Sequence, residues 1–167
     1  MPNNLDELLA ILTHLPDGTK YRLVGGNTAT GIYQDGPYDV YIDVKKVSEL
    51  TKVSKAPLEV GGGVVLNEWM ELMENVSKEN EAYSYGQVIV DHLKVVASTG
   101  VRNTGTLAGN LMIKHAHQYF PSDCFIMLET LGANINVKEG KEKVVVFLLI
   151  SQSLIFLSRN FDYPKWT

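Results

Sequence analysis

Leu23-Val24-Gly25-Gly26-Asn27-Thr28-Ala29-Thr30-Gly31 decides what this chain folds into. Tyr21–Val24 reads as a short strand, and the chain then runs directly into paired glycines. Glycines after a strand permit positive φ and let a ligand approach the backbone closely. Successive N–H groups in such a turn form a nest for an anion, and Asn27 and Thr28 add side-chain donors. A pyrophosphate is a natural guest. The spacing is neither G-x-G-x-x-G nor a Gly-Lys-Ser/Thr phosphate loop. The same composition also suits an ordinary tight turn.

A second stretch has the same character: Val101-Arg102-Asn103-Thr104-Gly105-Thr106-Leu107-Ala108-Gly109-Asn110-Leu111. Two such loops could grip a long diphosphate cofactor from two sides. A pair of surface turns is the other reading, and spacing does not choose between them.

Working outward, Leu5, Leu8, Leu9 and Leu12 recur at helical spacing over Leu5–His14, with Asn3 or Asn4 as cap. Pro16-Asp17-Gly18 stops that helix. Tyr38–Val44 alternates as a strand, and Asp43–Leu50 turns through a short helical piece. Pro57–Val60 is a third strand, ending in a Gly61-Gly62-Gly63 turn with the reach to approach a cofactor. Asn67 caps a helix over Glu68–Val76, with Trp69, Leu72, Met73 and Val76 on one face. Gln87–Ala97 is a helix in which Val88, Val90, Leu93, Val95 and Val96 exceed what one face requires, which implies deep burial. Thr99–Asn110 reads as irregular. Ser122 or Asp123 caps a helix to Leu131, stopped by Gly132. Ile135–Lys138 and Lys143–Phe147 form a hairpin around Glu139-Gly140-Lys141. The order predicts an α+β fold: a small β–α–β N-terminal subdomain over residues 1–80, a larger α+β subdomain over 81–147, and a divergent tail over 148–167.

The bulk numbers narrow the function. The chain has 167 residues, 45% hydrophobic and 20% charged, with a formal net charge of −4. That suits a globular domain with a real core and argues against a nucleic-acid surface, which needs clustered Lys and Arg. The single cysteine, Cys124, excludes an internal disulfide or a multi-cysteine cluster within the chain. It fits a reducing, cytoplasmic setting. The start, MPNNLDELLAILTHL, lacks the basic region of a signal peptide. Val144–Leu157 is apolar but shorter than a membrane span and interrupted by Ser151, Gln152 and Ser153, so no membrane partner is expected.

Three segments in order carry a resemblance. LVGGNTATG is similar to the L-V-x-G-N-T-x-x-G loop of the FAD domain of the molybdenum hydroxylases, the aldehyde oxidase and xanthine dehydrogenase family. VRNTGTLAGNLM resembles that family's later segment ending in G-G-N or A-G-N, and FPSDCFIMLETLGANI resembles the stretch after it. The match runs from about Leu5 to Val137, and AGNLMIKH…FPSD leans toward aldehyde oxidases. The resemblance implies a PCMH-type FAD-binding fold, incomplete at its C-terminus, and FAD as cofactor. It implies that Leu23, Val24, Gly25, Gly26, Asn27, Thr28, Ala29 and Thr30 wrap the pyrophosphate. Thr106, Leu107, Ala108, Gly109 and Asn110 would form a second wall, with Thr106 and Asn110 as donors. Asp123 would accept from a ribose or adenine group, cap the helix starting at Cys124, or do both. Val96 stands where the family often has an aromatic residue, and reads here as a core valine on a buried helix.

In complete enzymes of this family the flavin is the electron exit, passing electrons from iron–sulfur centres to oxygen or NAD. Iron–sulfur and molybdopterin domains of a full-length, typically homodimeric enzyme would then be the partners, and this chain alone would not hydroxylate an aldehyde. After Val137 the likeness fades. A truncated or misannotated fragment of a longer reading frame, with translated intron as one source of its tail, is the expectation. A catalytically inactive fragment without cofactor and a flavoprotein subunit of a multi-subunit hydroxylase are the alternatives. Other residues offer less. His115 and His117 form H-x-H on an expected strand, without a third metal ligand. Cys124, Trp69, Met70 and Met73 read as packing, and the scattered carboxylates do not pair for hydrolysis.

Overall fold

The computed structural model describes residues 1–140, 143–145 and 149–151. It opens with helix α1 (Leu5–His14). Asn4 is the cap: its Oδ1 accepts from the Glu7 N–H at 2.8 Å, satisfying one of the open donors of the first turn. Leu8 and Leu12 lie one turn apart and bury against Ile42, Val47 and Leu50. Strands β1 (Tyr21–Val24) and β2 (Val40–Asp43) pair in parallel, Tyr21 beside Val40 and Val24 beside Asp43. Parallel neighbours need a long crossover. Here residues 25–39 supply it without a helix, so the entire connection is free to build a site.

The short helical piece expected before Leu50 is a 3-10 turn at Ser48–Thr51. Strand β3 (Val53–Lys55), not expected, forms a hairpin with β4 (Leu58–Gly61). Helix α2 (Leu66–Glu79) begins earlier than expected. Asn67 therefore sits inside its first turn rather than at its cap, and the Glu68 carboxylate accepts from the Val65 N–H instead. Trp69, Leu72, Met73 and Val76 are buried, as their spacing predicts. Helix α3 (Gly86–Lys94) packs closely on α2, because a Cβ at Gly86 would stand 2.5 Å from the Met73 carbonyl oxygen. Deep burial of α3 does not hold. Ile89, Val90 and Leu93 face inward, but Val88 and Val95, seven residues apart on the outer face, are 71% and 81% exposed. The helix also ends before Val95 and Val96, so Val96 is a partly buried residue of the following turn, not a helical one.

Thr99–Asn110 is not irregular. It holds α4 (Thr99–Arg102) and the first turn of α5 (Leu107–Ala116). The hydroxyls that suggested a loop are helix caps: Ser98 Oγ accepts from Val101 N–H, and Thr106 Oγ1 accepts from Gly109 N–H. Helix α6 (Asp123–Thr130) is capped by Ser122, which leaves the Asp123 side chain free for another partner. Strand β5 (Asn134–Ile135) does not join the expected hairpin. That hairpin is β6 (Lys138–Gly140) with β7 (Lys143–Val145), Gly140 opposite Lys143. Its expected turn residue Lys141 and its end at Phe147 lie outside the described residues. Strand β8 (Leu149–Ser151) sits between β4 and β5, giving the antiparallel order β3-β4-β8-β5. The rest of the apolar run to Leu157 is likewise outside the described residues.

Buried side chains form two clusters. Leu8, Leu12, Ile42, Val47 and Leu50 make the first; a larger one runs from Leu58 and Val60 through α2, α3, Leu107 and Leu111 to Cys124, Leu128 and Ala133. Packing thus places β4 and α2 with the later elements. Among the described residues no helix is long and apolar enough to cross a membrane.

Candidate functional site

The first loop leaves β1 where Val24 O accepts from Val44 N–H at 3.0 Å, the last bond along the parallel pair. Gly25 then lies beside Thr106, and Gly26 presses onto the backbone of the second loop: a Cβ there would overlap the Thr104 carbonyl and stand 3.0 Å from Gly105 Cα. Thr28 Oγ1 faces Gly105 from the other strand of this junction, 3.4 Å from where a Cβ of Gly105 would lie. The two glycine-rich loops, far apart in sequence, are therefore in direct contact. Glycine acts here by close approach. The left-handed conformation falls to Asn27, at φ 52°, a residue that tolerates it. Its Oδ1 accepts from the Thr30 hydroxyl.

Among the described residues, the backbone N–H groups of residues 25–31 have no acceptor. They are exposed or half-buried, so an anion can reach them. The turn closes where Ala29 O accepts from Ile32 N–H and Tyr33 N–H at 3.0 and 2.9 Å.

The second loop is built differently. Leu107 N–H donates to Val64 O at 3.1 Å, Ala108 N–H to Gly62 O at 2.9 Å, and Gly109 N–H to Thr106 Oγ1 at 3.1 Å. The Gly61–Gly63 turn thus braces the start of α5. Leu107 is fully buried in the larger core. What α5 still offers is its N-terminal dipole, the Thr106 hydroxyl hydrogen and the side chain of Asn110. Ser122 Oγ donates to Asn110 Oδ1 at 2.5 Å, which orients that amide and leaves its NH₂ to donate elsewhere. Asn110 stands one turn, about 6 Å, along α5 from Thr106. Asp123 does not meet either loop through a hydrogen bond; its Oδ1 takes Nε2 of His92 at 2.9 Å.

Two residues outside the expected set hold this arrangement. Ser122 is 2% exposed and serves both as cap of α6 and as donor to Asn110. Arg102 is 9% exposed, and its guanidinium donates to Val96 O (2.7 Å), Ala97 O (3.0 Å), Lys94 O (3.3 Å), Thr99 Oγ1 (3.1 Å) and Asn67 Oδ1 (3.3 Å). It binds the open carbonyls at the C-terminus of α3 and so fixes the chain that carries Thr104 and Gly105. Only the need of a helix end for donors hinted at this in the sequence.

His115, His117 and Cys124 have structural places rather than chemical ones. His115 lies on α5 and His117 follows its last turn, so the H-x-H pair is not on a strand. His117 Nε2 binds Asp35. Cys124 is fully buried, and burial, with Asp123 next to it, pushes its thiol up to about 12. The apolar cavity lined by Leu58, Trp69, Met73, Tyr85, Leu128 and Leu131 lies inside the larger core, and the Tyr85 hydroxyl and the Trp69 indole N–H are the side-chain donors of that lining. Burial and the nearby Tyr83 raise that phenol to about 12.

A row of N–H groups without acceptors among the described residues, a left-handed Asn27, a helix N-terminus and two orientable donors fit a dinucleotide diphosphate. Comparison with known proteins agrees. Residues 1–149 match the family model described as the FAD binding domain in molybdopterin dehydrogenase. Abscisic-aldehyde oxidase of Arabidopsis thaliana is 27% identical over 175 residues, which cover 99% of this chain and 13% of that protein. Indole-3-acetaldehyde oxidase of Arabidopsis thaliana is 31% identical over 89% of this chain and 11% of its own, and that of Zea mays 32% over 86% and 10%. The chain therefore spans roughly a tenth of the curated relatives it matches. Quinoline 2-oxidoreductase from Pseudomonas putida 86 shares the fold, with a TM-score of 0.66 and 22% identity over 89% of this chain and 55% of that one. The chain belongs to the family of FAD-binding domains of molybdopterin dehydrogenases, and within it is aldehyde oxidase-like.

Proposed function

We propose that residues 23–30 wrap the FAD diphosphate, with Thr106 and Asn110 donating from the opposite wall. The observation that carries this is the run of N–H groups at 25–31 without acceptors among the described residues, held against the start of α5. Of the second wall, Ala108 and Gly109 contribute by lacking bulk and Leu107 by packing, since the N–H groups of all three are engaged. Asp123 reaches the cofactor only by sharing or releasing His92.

Bound FAD supplies the redox chemistry; the residues of this chain bind it, orient it and exclude water from its phosphates. In a full-length protein of the aldehyde oxidase type, this domain would hand electrons from iron–sulfur centres to oxygen or NAD. Its partners there are the iron–sulfur and molybdopterin domains and a second subunit, in the cytoplasm. Titrating the folded chain with FAD while following flavin fluorescence tests the binding. Saturable quenching near one equivalent is expected, and folded protein with no saturable change would overturn the proposal.

A further inference from the structure

Resting on the proposed cofactor loop, we infer that Tyr33, Asp35 and His117 form a clasp that positions it. The connection after β1 touches α5 at two places. At the front, Gly25 and Gly26 meet Thr104–Thr106. At the rear, His117, just past the last turn of α5, takes two residues of the same connection. Its ring stacks on Tyr33, with centroids 4.1 Å apart and planes at 23°. Its Nε2 lies 3.0 Å from Asp35 Oδ1. Phe120 sets its ring edge-on to Tyr33 at 6.2 Å.

The geometry gives the clasp its consequence. Helix α5 has ten residues and is about 15 Å long. The N–H groups of Thr28–Gly31, which have no acceptor among the described residues, hang between the two fastenings. Held at one end only, that span swings freely and must be ordered on binding. Held at both, it meets the cofactor already placed. The rear contact joins residues 82 apart in sequence, so local conformational preference does not make it. The His117 side chain is sheltered, at 18% exposed, while the Asp35 side chain remains about a third open, at 34%. These are positioning residues; none needs to touch the flavin.

The test uses the whole chain. His117→Ala and Asp35→Asn should each weaken FAD binding roughly tenfold, the loss of one charge-assisted hydrogen bond or one ring stack. His117→Gln keeps an N–H but no ring and should recover part of that loss. The double variant should bind no worse than His117→Ala, because both changes open one clasp. Lys55→Ala, at a surface ion pair elsewhere, should bind like wild type. Amide exchange without FAD gives an independent reading. The Ile32 and Tyr33 amides, bonded to Ala29 O, should exchange faster in the clasp variants while those of α2 stay protected. Wild-type binding with His117→Ala and Asp35→Asn both within twofold of it would overturn the inference. Faster exchange in a chain whose wild type does not bind FAD would sink the cofactor reading and leave only a mechanical fastening.

Discussion

Gly26→Ala is the sharpest probe of how the two loops meet. The added Cβ would stand 1.8 Å from the Thr104 carbonyl oxygen and 2.5 Å from its carbon, where non-bonded heavy atoms normally rest at about 3.5–4.0 Å. One backbone must retreat by more than about 1 Å. Neither is free to do so. Gly105 O accepts from Leu66 N–H at 3.0 Å, Gly105 N–H donates to Val101 O at 2.6 Å, and Gly26 follows directly on β1. Overpacking of this kind costs about 1–3 kcal/mol, and breaking the Leu66–Gly105 bond adds about 1 kcal/mol. The sum, about 2–4 kcal/mol, lowers the melting temperature by roughly 5–15 °C for a chain of this size. FAD affinity should fall by more than about tenfold, since the retreat separates the walls of the site. Gly31→Ala is the matched control. Its Cβ meets nothing within 4 Å and its φ is not positive, so its melting temperature should stay within about 2 °C of wild type. Thermal melts and flavin titrations of both variants decide the matter. Gly26→Ala melting and binding like Gly31→Ala would refute the contact on which the site is built.

Ser122→Ala should cost about 1–2 kcal/mol, because one hydroxyl caps α6 and orients Asn110. A melting temperature equal to wild type would contradict that double role. Cys124 should resist thiol reagents at neutral pH until the chain unfolds, since its thiol is raised from an ordinary value of 9.0 to about 12. The same shift sets an alkaline limit. Above about pH 9 the unfolded chain loses the proton that the folded chain keeps, so stability is complete below that pH and declines toward pH 12. Denaturant midpoints in Cys124→Ala that decline as steeply as wild type between pH 8 and 10.5, about 2.3RT per unit in excess of other groups, would count against it.

Much of the fold was legible because the physics was local. The Leu5–His14 helix follows from leucine spacing and an Asn cap, and both ends are where the pattern put them. Tyr21–Val24 is likewise a strand over the expected residues. Errors arose where one signal has two meanings. Ser98 and Thr106 look like loop residues by composition, yet each caps a helix. Val88 and Val95 look like core by hydropathy, yet both are exposed, Val88 on the outer face of α3 and Val95 just past its end. Strand β3 is three residues long, too short for alternation to register. The clasp was not legible, because no local pattern connects Asp35 to His117.

The two glycine-rich loops show most clearly what composition hides. Both are strings of Gly, Thr and Asn, and from residue types alone they offer the same donors. The difference lies in where the backbone hydrogens go. In the second loop Val64, Gly62 and Thr106 consume the first three N–H groups of α5, so this segment is a rigid wall whose remaining donors are side chains. In the first, the N–H groups of 25–31 make no hydrogen bond to a carbonyl among the described residues. Unpaired backbone donors persist only where water or a ligand can satisfy them. An anion therefore gains most from the first loop and is aligned by the second. Glycine has a correspondingly different task in each: at Gly26 it lets the loops touch, whereas a Cβ at Gly109 would come within 2.9 Å of the Thr106 hydroxyl and disturb the cap. Substitutions along the first loop should then act on affinity through the donors themselves, and those along the second through the placement of Thr106 and Asn110.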